Sequence, residues 1–515
     1  MIGILLLGMG LRLWGLDSKS VWQDEIFTAA IASPENGALE VVTIPLYNTA
    51  LPAPPLYFLI THFFLSLEDC DFLLRFPALC FGVLGLAATY AVGVRLFGEV
   101  EGTIGALVLA LVPFHVRYSQ DARFYTLLVL LSLLSVYFLY RGLSLGNRKW
   151  FLGFVLCSVL NLYNHLFAFL VLAALVVFVA GLWVAQALTR LRRSHSSAVG
   201  AGGPVPILHR RVALAFLVSL IVIVLAYAPM VPHLLRGLSG AKGVGSAGPN
   251  AVFAPSSLMA ALDSWGLGSG WRILLLGVPF ALGVIASAKG HSRQLWLACC
   301  WFLVPFGTLL IVPAGHGFRP RYVLFMLPLY LILAARGLKV VGDIVSQRFT
   351  VPRCRSGAVA LSVLVGAITL LSLPALRAYY EEDRGDWRSV AALVAARILP
   401  GDVIVSPGPF PQVVLPRYEE SLGGATFLIG GSEVFLSPEE ELQGGVWFVG
   451  PAREKMQAID LQLAQAEQYV FKVLFEVDDQ SSARGRALKI APVMYDDLWV
   501  LYVRDGLRPE DVADL

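Results

Sequence analysis

Long apolar segments dominate this chain of 515 residues and leave few folds open to it. Twelve such runs lie at about 2–16, 51–67, 72–97, 101–116, 124–140, 150–163, 165–188, 212–235, 271–288, 295–313, 321–335 and 357–376. A helix that crosses a bilayer needs roughly 20 apolar residues, and most of these runs approach or exceed that length. Charged residues make up only 15% of the chain, against roughly 25% in a soluble domain. The pattern predicts a polytopic α-helical membrane protein.

Two of the apolar runs do not fit a simple span. The run at 2–16 is short and contains Arg12, so we expect either a short helix whose Arg12 side chain reaches the membrane surface, or a helix that starts upstream. The run at 51–67 begins with a proline-rich stretch and is followed by Glu68 and Asp69. We expect this second run to lie at the interface or re-enter the membrane without crossing it.

The positions of Lys and Arg decide the topology. If residues 51–67 do not cross, about eleven spans remain. The most basic loops then all lie on one side of the membrane, at 141–149, 190–211, 289–293 and 336–355. Cytoplasmic loops carry an excess of Lys and Arg, so this side is predicted to be cytoplasmic. The loops at 117–123, 236–270 and 314–320, the loop that follows the first run, and the C-terminal segment are then extracytoplasmic, which fits a plasma membrane.

The segment after residue 376 is polar enough to be a separate soluble domain. It begins with a helix-like run at 386–398 and has a second helical run at 452–468. Short β-like runs occur at 403–405, 425–429, 446–449, 473–477 and 498–503. Alternating helices and strands predict a small C-terminal α/β domain at 377–515, attached to a membrane module at 1–376. We expect this domain to steady catalytic loops or bind acceptor.

Several short motifs occur in a characteristic order along the membrane module. They are Arg12-Leu13-Trp14-Gly15-Leu16, Val21-Trp22-Gln23-Asp24-Glu25, Ala53-Pro54-Pro55-Leu56-Tyr57, Leu74-Arg75-Phe76-Pro77-Ala78, Pro113-Phe114-His115, Tyr118-Ser119-Gln120-Asp121-Ala122-Arg123-Phe124-Tyr125 and Arg319-Pro320-Arg321-Tyr322. The ordered set resembles the GT-C glycosyltransferases, which include protein O-mannosyltransferases and the bacterial aminoarabinose and Rgt-type transferases. The resemblance implies an enzyme that moves a sugar from a polyprenyl-phosphate donor to an acceptor hydroxyl, with its catalytic loop at 17–71.

An acidic pair, Asp24 and Glu25, follows the first apolar run. Transfer to a hydroxyl needs a group that takes its proton, and a carboxylate within hydrogen-bond reach can do so. Adjacent residues point in different directions, so the two carboxylates are not expected to share one role. The resemblance implies that the first one is catalytic, as a base or as a ligand of Mg²⁺ or Mn²⁺, although no third ligand is evident. Alternatively, the pair only caps a helix in the loop.

Arginines at the predicted extracytoplasmic rim are candidates for binding the donor phosphate. Arg binds phosphate through two parallel hydrogen bonds, and Arg123, Arg319 and Arg321 lie at such positions, with His316 nearby. Pro320 favours an extended chain, which directs Arg319 and Arg321 apart, so we expect only one of them at the site. The alternative is that these side chains contact lipid headgroups.

Four further residues are predicted to bind acceptor or sugar: Asp121, Tyr125, Trp22 and His165. Asp121 could instead cap the following helix and pair with a basic neighbour. His165 belongs to a polar break at 161–165 that is either an extracytoplasmic turn or a cavity lining. Trp22 could stack on a sugar ring, as could Trp265 and Trp271, but Trp is also common at membrane interfaces.

Other functional classes are less consistent with these features. The net charge of +3 gives no reason to expect a nucleic-acid partner. A lipid or glycolipid transporter or flippase would have as many spans, but it usually carries ionisable residues at the midplane and repeated halves with broken helices. A transferase-like scaffold without activity is a further alternative. The expected partners are a polyprenyl-phosphate sugar, membrane lipids and an acceptor glycan, lipid or protein. The loop at 236–270 could close over a bound acceptor.

Overall fold

A computed structural model describes residues 1–47, 53–195, 210–240, 255–266, 270–311, 319–348, 353–382, 387–406, 410–429, 446–451 and 498–503. The described chain divides into two compact units. The first contains Met1–Leu16 and Ile31–Tyr380, and the second contains Asp17–Ala30 and the described residues from Glu381 onward. The sequence predicted a boundary at 376/377 and placed the whole loop 17–71 in the membrane module. In the structure, residues 17–30 belong to the unit that contains the C-terminal segment.

Seventeen α-helices lie within the described residues up to Glu381. They are α1 Ile2–Leu13, α2 Gln23–Ile31, α3 Ala38–Tyr47, α4 Leu56–Leu65, α5 Asp71–Leu96, α6 Glu99–Leu111, α7 Pro113–Ser119, α8 Tyr125–Leu145, α9 Arg148–Asn164, α10 Ala168–His195, α11 Arg210–Tyr227, α12 Val231–Gly240, α13 Pro255–Trp265, α14 Ile273–Ala288, α15 Ser292–Ile311, α16 Leu327–Arg348 and α17 Arg353–Glu381. A 3-10 helix, Pro320–Met326, leads into α16.

Six described helical segments are long and apolar enough to cross a membrane. They are Asp71–Leu96, Tyr125–Leu145, Ala168–Thr189, Arg210–Arg236, Pro320–Gln347 and Ala358–Glu381. The bent pair α6–α7 makes a seventh if it is counted as one span. The protein is therefore a multi-span helical membrane protein. The predicted eleven spans would require shorter apolar helices to cross as well. In the described part of the run at 51–67 the helix is α4, with 10 residues against the roughly 20 of a typical span.

A proline breaks the predicted span at 101–116. The chain bends by 67° between α6 and α7, where Pro113 begins the second helix. Proline has no backbone N–H, so the carbonyl of Leu109 loses the donor that an unbroken helix would provide. Arg12 supplies the replacement. Its Nη2 lies 3.3 Å from the Leu109 oxygen, and its Nη1 lies 3.2 Å from that of Ala110.

Arg12 makes three more hydrogen bonds within the first unit. Its Nε donates to Ser119 Oγ at 3.0 Å, its Nη1 to the Gly8 carbonyl at 3.0 Å and its Nη2 to His115 Nδ1 at 2.7 Å. The side chain is 0% exposed. The expectation that Arg12 extends to the membrane surface is therefore wrong. A guanidinium without access to water needs several acceptors, and the helix break and the α7 side chains provide them.

Small residues allow α14 and α16 to pack closely. A Cβ atom added to Gly283 would collide with the carbonyl oxygen of Leu333, and one added to Gly337 would collide with that of Pro279. In membranes, where lipid is as apolar as the helix surface, such small residues let helix backbones approach and gain van der Waals contact.

Beyond Glu381, the described residues form two helices and four strands: α18 Trp387–Ala395, β1 Val403–Ser406, α19 Phe410–Tyr418, β2 Thr426–Ile429, β3 Val446–Pro451 and β4 Leu498–Val503. The sheet order is β2-β1-β3-β4. Strand β1 runs parallel to both β2 and β3, and β4 pairs antiparallel with β3. Four of the five predicted β-like runs are thus strands, while the runs at 452–468 and 473–477 lie outside the described residues.

Candidate active site

Side chains from three distant segments meet in the first unit. Tyr125 is the first residue of α8, His165 directly follows α9, and Arg321 lies in the 3-10 helix before α16. The Arg321 Cζ atom lies 5.9 Å from the centre of the Tyr125 ring. The His165 and Tyr125 ring centres are also 5.9 Å apart. Residues that the sequence singled out separately therefore share one cluster.

Arg123 joins this cluster from the turn before α8. Its Cζ atom lies 4.5 Å from the centre of the Phe124 ring, and that ring lies 4.5 Å from the His165 ring. An aromatic face attracts a cation without neutralising its charge. In the cluster of Arg123, Tyr125, His165 and Arg321, which we call the arginine cluster, one guanidinium group lies over Phe124 and another over Tyr125. It suits an anionic ligand.

His165 is held as a neutral imidazole. Its Nδ1 accepts a hydrogen bond from the Phe167 backbone N–H at 2.9 Å, so the ring proton lies on Nε2. Burial and, to a smaller extent, the positive charge of Arg123 lower the pKa of His165 from 6.5 to about 3. Asn161 and Asn164 belong to the last turn of α9 and are buried, so the interpretation of 161–165 as a simple turn is wrong for them, and only His165 lies in the link to α10. His165 can therefore act as a hydrogen-bond donor, but it is not protonated at neutral pH.

The two arginines that flank Pro320 have different surroundings. Arg319 is exposed and has extended backbone angles, with φ −123° and ψ 133°. Arg321 is partly buried against the Tyr125 and Tyr322 rings. Arg321 is thus the one of the pair that belongs to the cluster, and the chain is extended only at Arg319, because Pro320 already begins the 3-10 helix. His316, the fourth predicted phosphate ligand, lies outside the described residues.

Asp121 lies just before the arginine cluster and is 2% exposed. Asp121 does not cap α8. The N-cap residue of this helix is Phe124, and no side-chain capping hydrogen bond is made there. The capping interpretation of Asp121 is therefore wrong. Its carbonyl oxygen instead accepts from the Arg123 N–H at 2.6 Å, which closes a tight turn before α8.

Gln120 and Tyr379 position this turn, and neither was predicted as a site residue. The Gln120 Nε2 atom donates to the carbonyls of Arg12 at 2.9 Å and Trp14 at 2.8 Å, which belong to the end of α1. The Tyr379 hydroxyl donates to Gln120 Oε1 at 2.6 Å. Carbonyls at a helix end lack internal donors, so a glutamine amide there is well matched. Gln120 lies in the polar stretch between α7 and α8, so its residue type alone did not distinguish it from its neighbours.

The acidic pair lies in the first turn of α2, in the second unit. Glu25 is 0% exposed, and its Oε2 accepts from the Trp22 N–H at 3.4 Å, a contact that caps the start of α2. Asp24 is partly exposed, and its carbonyl accepts from Thr28 Oγ1 at 3.1 Å. The two carboxylates therefore differ in burial, as their adjacency predicted. Asp24 is the more exposed of the two.

Residues of the C-terminal segment hold the loop that carries the acidic pair. The Arg388 Nη2 atom, on α18, donates to the Asp17 carbonyl at 2.6 Å, and the Arg388 backbone N–H lies 3.4 Å from Ser20 Oγ. The Val21 N–H donates to the Tyr418 hydroxyl at 2.8 Å. Arg388 also lies over the Tyr418 ring at 5.4 Å. These bonds fit the expectation that the C-terminal segment steadies the catalytic loop.

The acidic pair is a poor metal site. Glu25 is buried and caps its own helix, which leaves Asp24 as one carboxylate. Among the described residues, no group of three or more His, Cys, Asp or Glu side chains could hold a metal ion. We therefore derive no reaction step through a divalent cation.

The tryptophans have different environments. Trp22 is partly buried beside the acidic pair. Trp265 is 1% exposed, with its ring centre 5.6 Å from that of Tyr330, so it belongs to the core and neither a sugar-stacking nor an interfacial role fits it. The Trp271 side chain and the middle of the 236–270 loop, residues 241–254, lie outside what the structure describes.

The fold is that of the GT-C membrane glycosyltransferases, which confirms the resemblance inferred from the ordered motifs. ArnT from Cupriavidus metallidurans bound to undecaprenyl phosphate matches with a TM-score of 0.61 at 13% identity, over 97% of each chain. The archaeal oligosaccharyltransferase AglB from Archaeoglobus fulgidus, in complex with an inhibitory peptide and a dolichol-phosphate, matches with a TM-score of 0.53 at 11% identity. That match covers 87% of this chain and 69% of AglB. At these identities the likeness establishes the fold alone.

Part of the chain also matches a family by sequence. Residues 52–201 match the model of the dolichyl-phosphate-mannose-protein mannosyltransferases, PMT_2. The matched region contains Asp121, Arg123, Tyr125 and His165. No curated protein matches the sequence significantly. The chain therefore has the fold of the GT-C membrane glycosyltransferases, and its residues 52–201 resemble the dolichyl-phosphate-mannose-protein mannosyltransferases.

Proposed function

We propose that this protein transfers a sugar from a polyprenyl-phosphate donor to an acceptor hydroxyl on the extracytoplasmic face of the plasma membrane. The observation that carries the proposal is the arginine cluster, in which Arg123 and Arg321 each lie over a ring of the contiguous group Phe124, Tyr125 and His165. It occurs in a fold shared with ArnT, which binds undecaprenyl phosphate in one of its structures.

Arg123 and Arg321 bind the donor phosphate in this proposal. Bond cleavage between the sugar C1 and the phosphate oxygen leaves additional negative charge on the departing polyprenyl phosphate. Fixed guanidinium groups stabilise that charge as it develops, which lowers the barrier. Their aromatic neighbours restrict the guanidinium positions before substrate binds. His165, neutral with its proton on Nε2, donates a hydrogen bond to the sugar or the phosphate.

Asp24 acts as the general base. It removes the proton of the acceptor hydroxyl while the acceptor oxygen forms a bond to the sugar C1 and the bond from C1 to the phosphate oxygen breaks. Glu25 supports Asp24 indirectly, because its cap to the Trp22 amide fixes the first turn of α2. Asp121, Tyr125 and Trp22 are proposed to contact the sugar or the acceptor.

The proposed topology has about eleven spans. Besides the six long helices and the α6–α7 pair, it requires α1, α9, α14 and α15 to cross. Those helices have 12, 17, 16 and 20 residues, lengths that local thinning of the bilayer and flanking polar side chains can accommodate. The basic loops then face the cytoplasm. The loop with Asp24, the turn before α8 and the C-terminal segment face outward.

The two arginines that flank Pro320 make a matched test. Arg321→Gln removes a cluster guanidinium, whereas Arg319→Gln removes an exposed one two residues away. We expect Arg321→Gln to raise the KM for polyprenyl-phosphate sugar or lower transfer roughly tenfold to a hundredfold, as the loss of a charge-assisted hydrogen bond implies. Arg319→Gln should stay within about threefold of wild type. Equal effects of the two substitutions would contradict the assignment, and donor movement across the membrane without transfer would favour a flippase.

A further inference from the structure

A second group of basic side chains lies at the opposite end of the helices that carry the arginine cluster. It comprises Arg95 at the end of α5, Arg293 at the start of α15, and Arg336 and Lys339 on α16. The buried Glu101 of α6 pairs with two of these, at 2.8 Å from Arg336 and 3.4 Å from Lys339. Glu101 thus pairs with Arg336 and Lys339, and no described ion pair balances Arg95 or Arg293.

Direct contacts show that these side chains belong to one site. The Gln294 Nε2 atom donates to the Leu96 carbonyl at 3.2 Å, which joins the start of α15 to the end of α5. The His291 ring centre lies 5.6 Å from that of Phe97, on the link between α5 and α6. Arg293 lies close enough to Arg95 for the two to repel each other. These contacts bring the segments that carry Arg95 and Arg293 next to the start of α6, the helix that contains Glu101.

His291 is in the same electrostatic environment. Burial lowers the pKa of His291, and the charges of Arg336 and Lys339 lower it further against the opposing effect of Glu101. The imidazole therefore adds no positive charge at neutral pH. The remaining carboxylates at neighbouring positions, Glu99 and Asp343, are exposed to solvent.

Several N–H groups in this site have no acceptor within the part of the chain that the structure describes. They are the buried Nε atoms of Arg95, Arg293 and Arg336 and the buried Nη2 atom of Arg293. Arg293 makes only a long contact to Ser144 Oγ, at 3.5 Å, and lies over the Tyr140 ring at 4.4 Å. Guanidinium groups with unused donors and excess positive charge are matched by an oxyanion with several lone pairs.

We propose that this site binds the phosphate headgroup of an anionic membrane lipid. The helices that form it include the long apolar spans Asp71–Leu96, Tyr125–Leu145 and Pro320–Gln347, so the site lies where span ends meet the membrane surface. Basic pockets between transmembrane helices are suited to headgroup phosphates. The bound phosphate accepts from Arg95 and Arg293 and balances the charge that Glu101 leaves uncompensated. We name the site the lipid anchor site.

The test uses the full chain in detergent with dioctanoyl phosphatidylglycerol as the probe and dioctanoyl phosphatidylcholine as the uncharged reference. Binding is followed by native mass spectrometry and by the shift in melting temperature. Arg95→Gln/Arg293→Gln should weaken phosphatidylglycerol binding at least tenfold. Arg148→Gln/Lys149→Gln removes the same charge from exposed positions beyond α8 and should leave binding within about twofold.

Each other outcome would overturn the proposal. Equal weakening by both double variants would mean that binding reflects the general charge of that surface. A shift as large with inorganic phosphate as with the lipid would mean a soluble-anion site. Arg293→Lys guards against a folding defect, because it keeps the charge, and it should retain intermediate affinity. Wild-type affinity in a folded Arg95→Gln/Arg293→Gln protein would also contradict the assignment.

Discussion

The Arg12 Nη2 atom donates to the carbonyl oxygen of Leu109 at 3.3 Å, the atom that Pro113 leaves without a helical donor. This bond joins the first helix of the chain to the break between α6 and α7. The same region leads through Gln120 into the turn that carries Arg123. Arg12, the charged residue in the first apolar run, thus completes the hydrogen bonding of the helix break. It also helps to position the arginine cluster.

Replacing Arg12 should therefore be costly. Arg12→Leu leaves the carbonyls of Leu109 and Ala110 buried without a donor, at about 1–3 kcal/mol for each. We expect the free energy of unfolding to fall by about 2–5 kcal/mol, measured by thermal or denaturant unfolding in detergent. In a Pro113→Ala background, where residue 113 regains an N–H, the cost should be smaller. A loss below about 1 kcal/mol in the wild-type background would contradict the structural role.

Acid should destabilise the protein through His165. The unfolded chain takes up a proton at this residue near pH 6.5, whereas the folded pKa is about 3. The unfolded state therefore binds more protons between these values, so stability is complete above pH 6.5 and falls as the pH falls toward 3. At pH 5 the loss is at most about 2 kcal/mol, at about 1.4 kcal/mol for each pH unit.

His165→Asn removes this titration while keeping an acceptor for the Phe167 N–H. Melting temperatures of wild type and variant, recorded from pH 7.5 to pH 5, should converge or cross as the pH falls. Parallel curves would mean that His165 is not held neutral in the folded state.

The Tyr418 hydroxyl should hold residues 17–25 of the loop in a fixed conformation. Tyr418→Phe removes the acceptor of the Val21 N–H, so we expect faster hydrogen exchange in residues 17–25 and a lower kcat with a smaller change in KM. Gln412→Ala, at an exposed position of the same helix, is the matched control and should change neither. Unchanged exchange in Tyr418→Phe would mean that other contacts hold the loop.

Substitutions of Asp24 and Glu25 should differ in their effects on stability and on transfer. Glu25→Gln keeps an oxygen that can accept from the Trp22 N–H, so it should lower stability by about 1 kcal/mol and retain most of the transfer rate. Asp24→Asn should retain stability and lose transfer. Unfolding curves and initial transfer rates of the two proteins check this, and the reverse pattern would make Glu25 the reacting group.

The sequence predicted the features that depend on residues close together along the chain. Apolar runs predicted the membrane helices, and polar residues at their ends predicted Arg123, Tyr125, His165 and Arg321 as site residues. The different surroundings of Arg319 and Arg321 arise because the 3-10 helix begins at Pro320, where the sequence predicted an extended chain. Four strands of the C-terminal sheet followed from their β-branched and aromatic content.

Tertiary partners could not be predicted in the same way. Hydropathy treats each run as one straight span, so it missed the break at Pro113 and the 3-10 helix that carries Arg321. Arg12 was assigned to the membrane surface because a run considered alone offers it no acceptors. The link of residues 17–30 to α18 and α19 depends on contacts between residues about 370 to 400 positions apart along the chain. The hydrophobic periodicity of the sequence carries no information about such long-range contacts.

The most direct test of the proposed function is transfer from a panel of radiolabelled polyprenyl-phosphate sugars into membrane acceptors. Wild type, Asp24→Asn and the exposed control Asp17→Asn are compared at matched expression. We predict transfer from one donor sugar that falls by about a thousandfold or more in Asp24→Asn and persists in Asp17→Asn. Transfer that survives in Asp24→Asn would contradict the role of this carboxylate as the base. No transfer from any donor by folded wild-type protein would contradict the proposed activity itself.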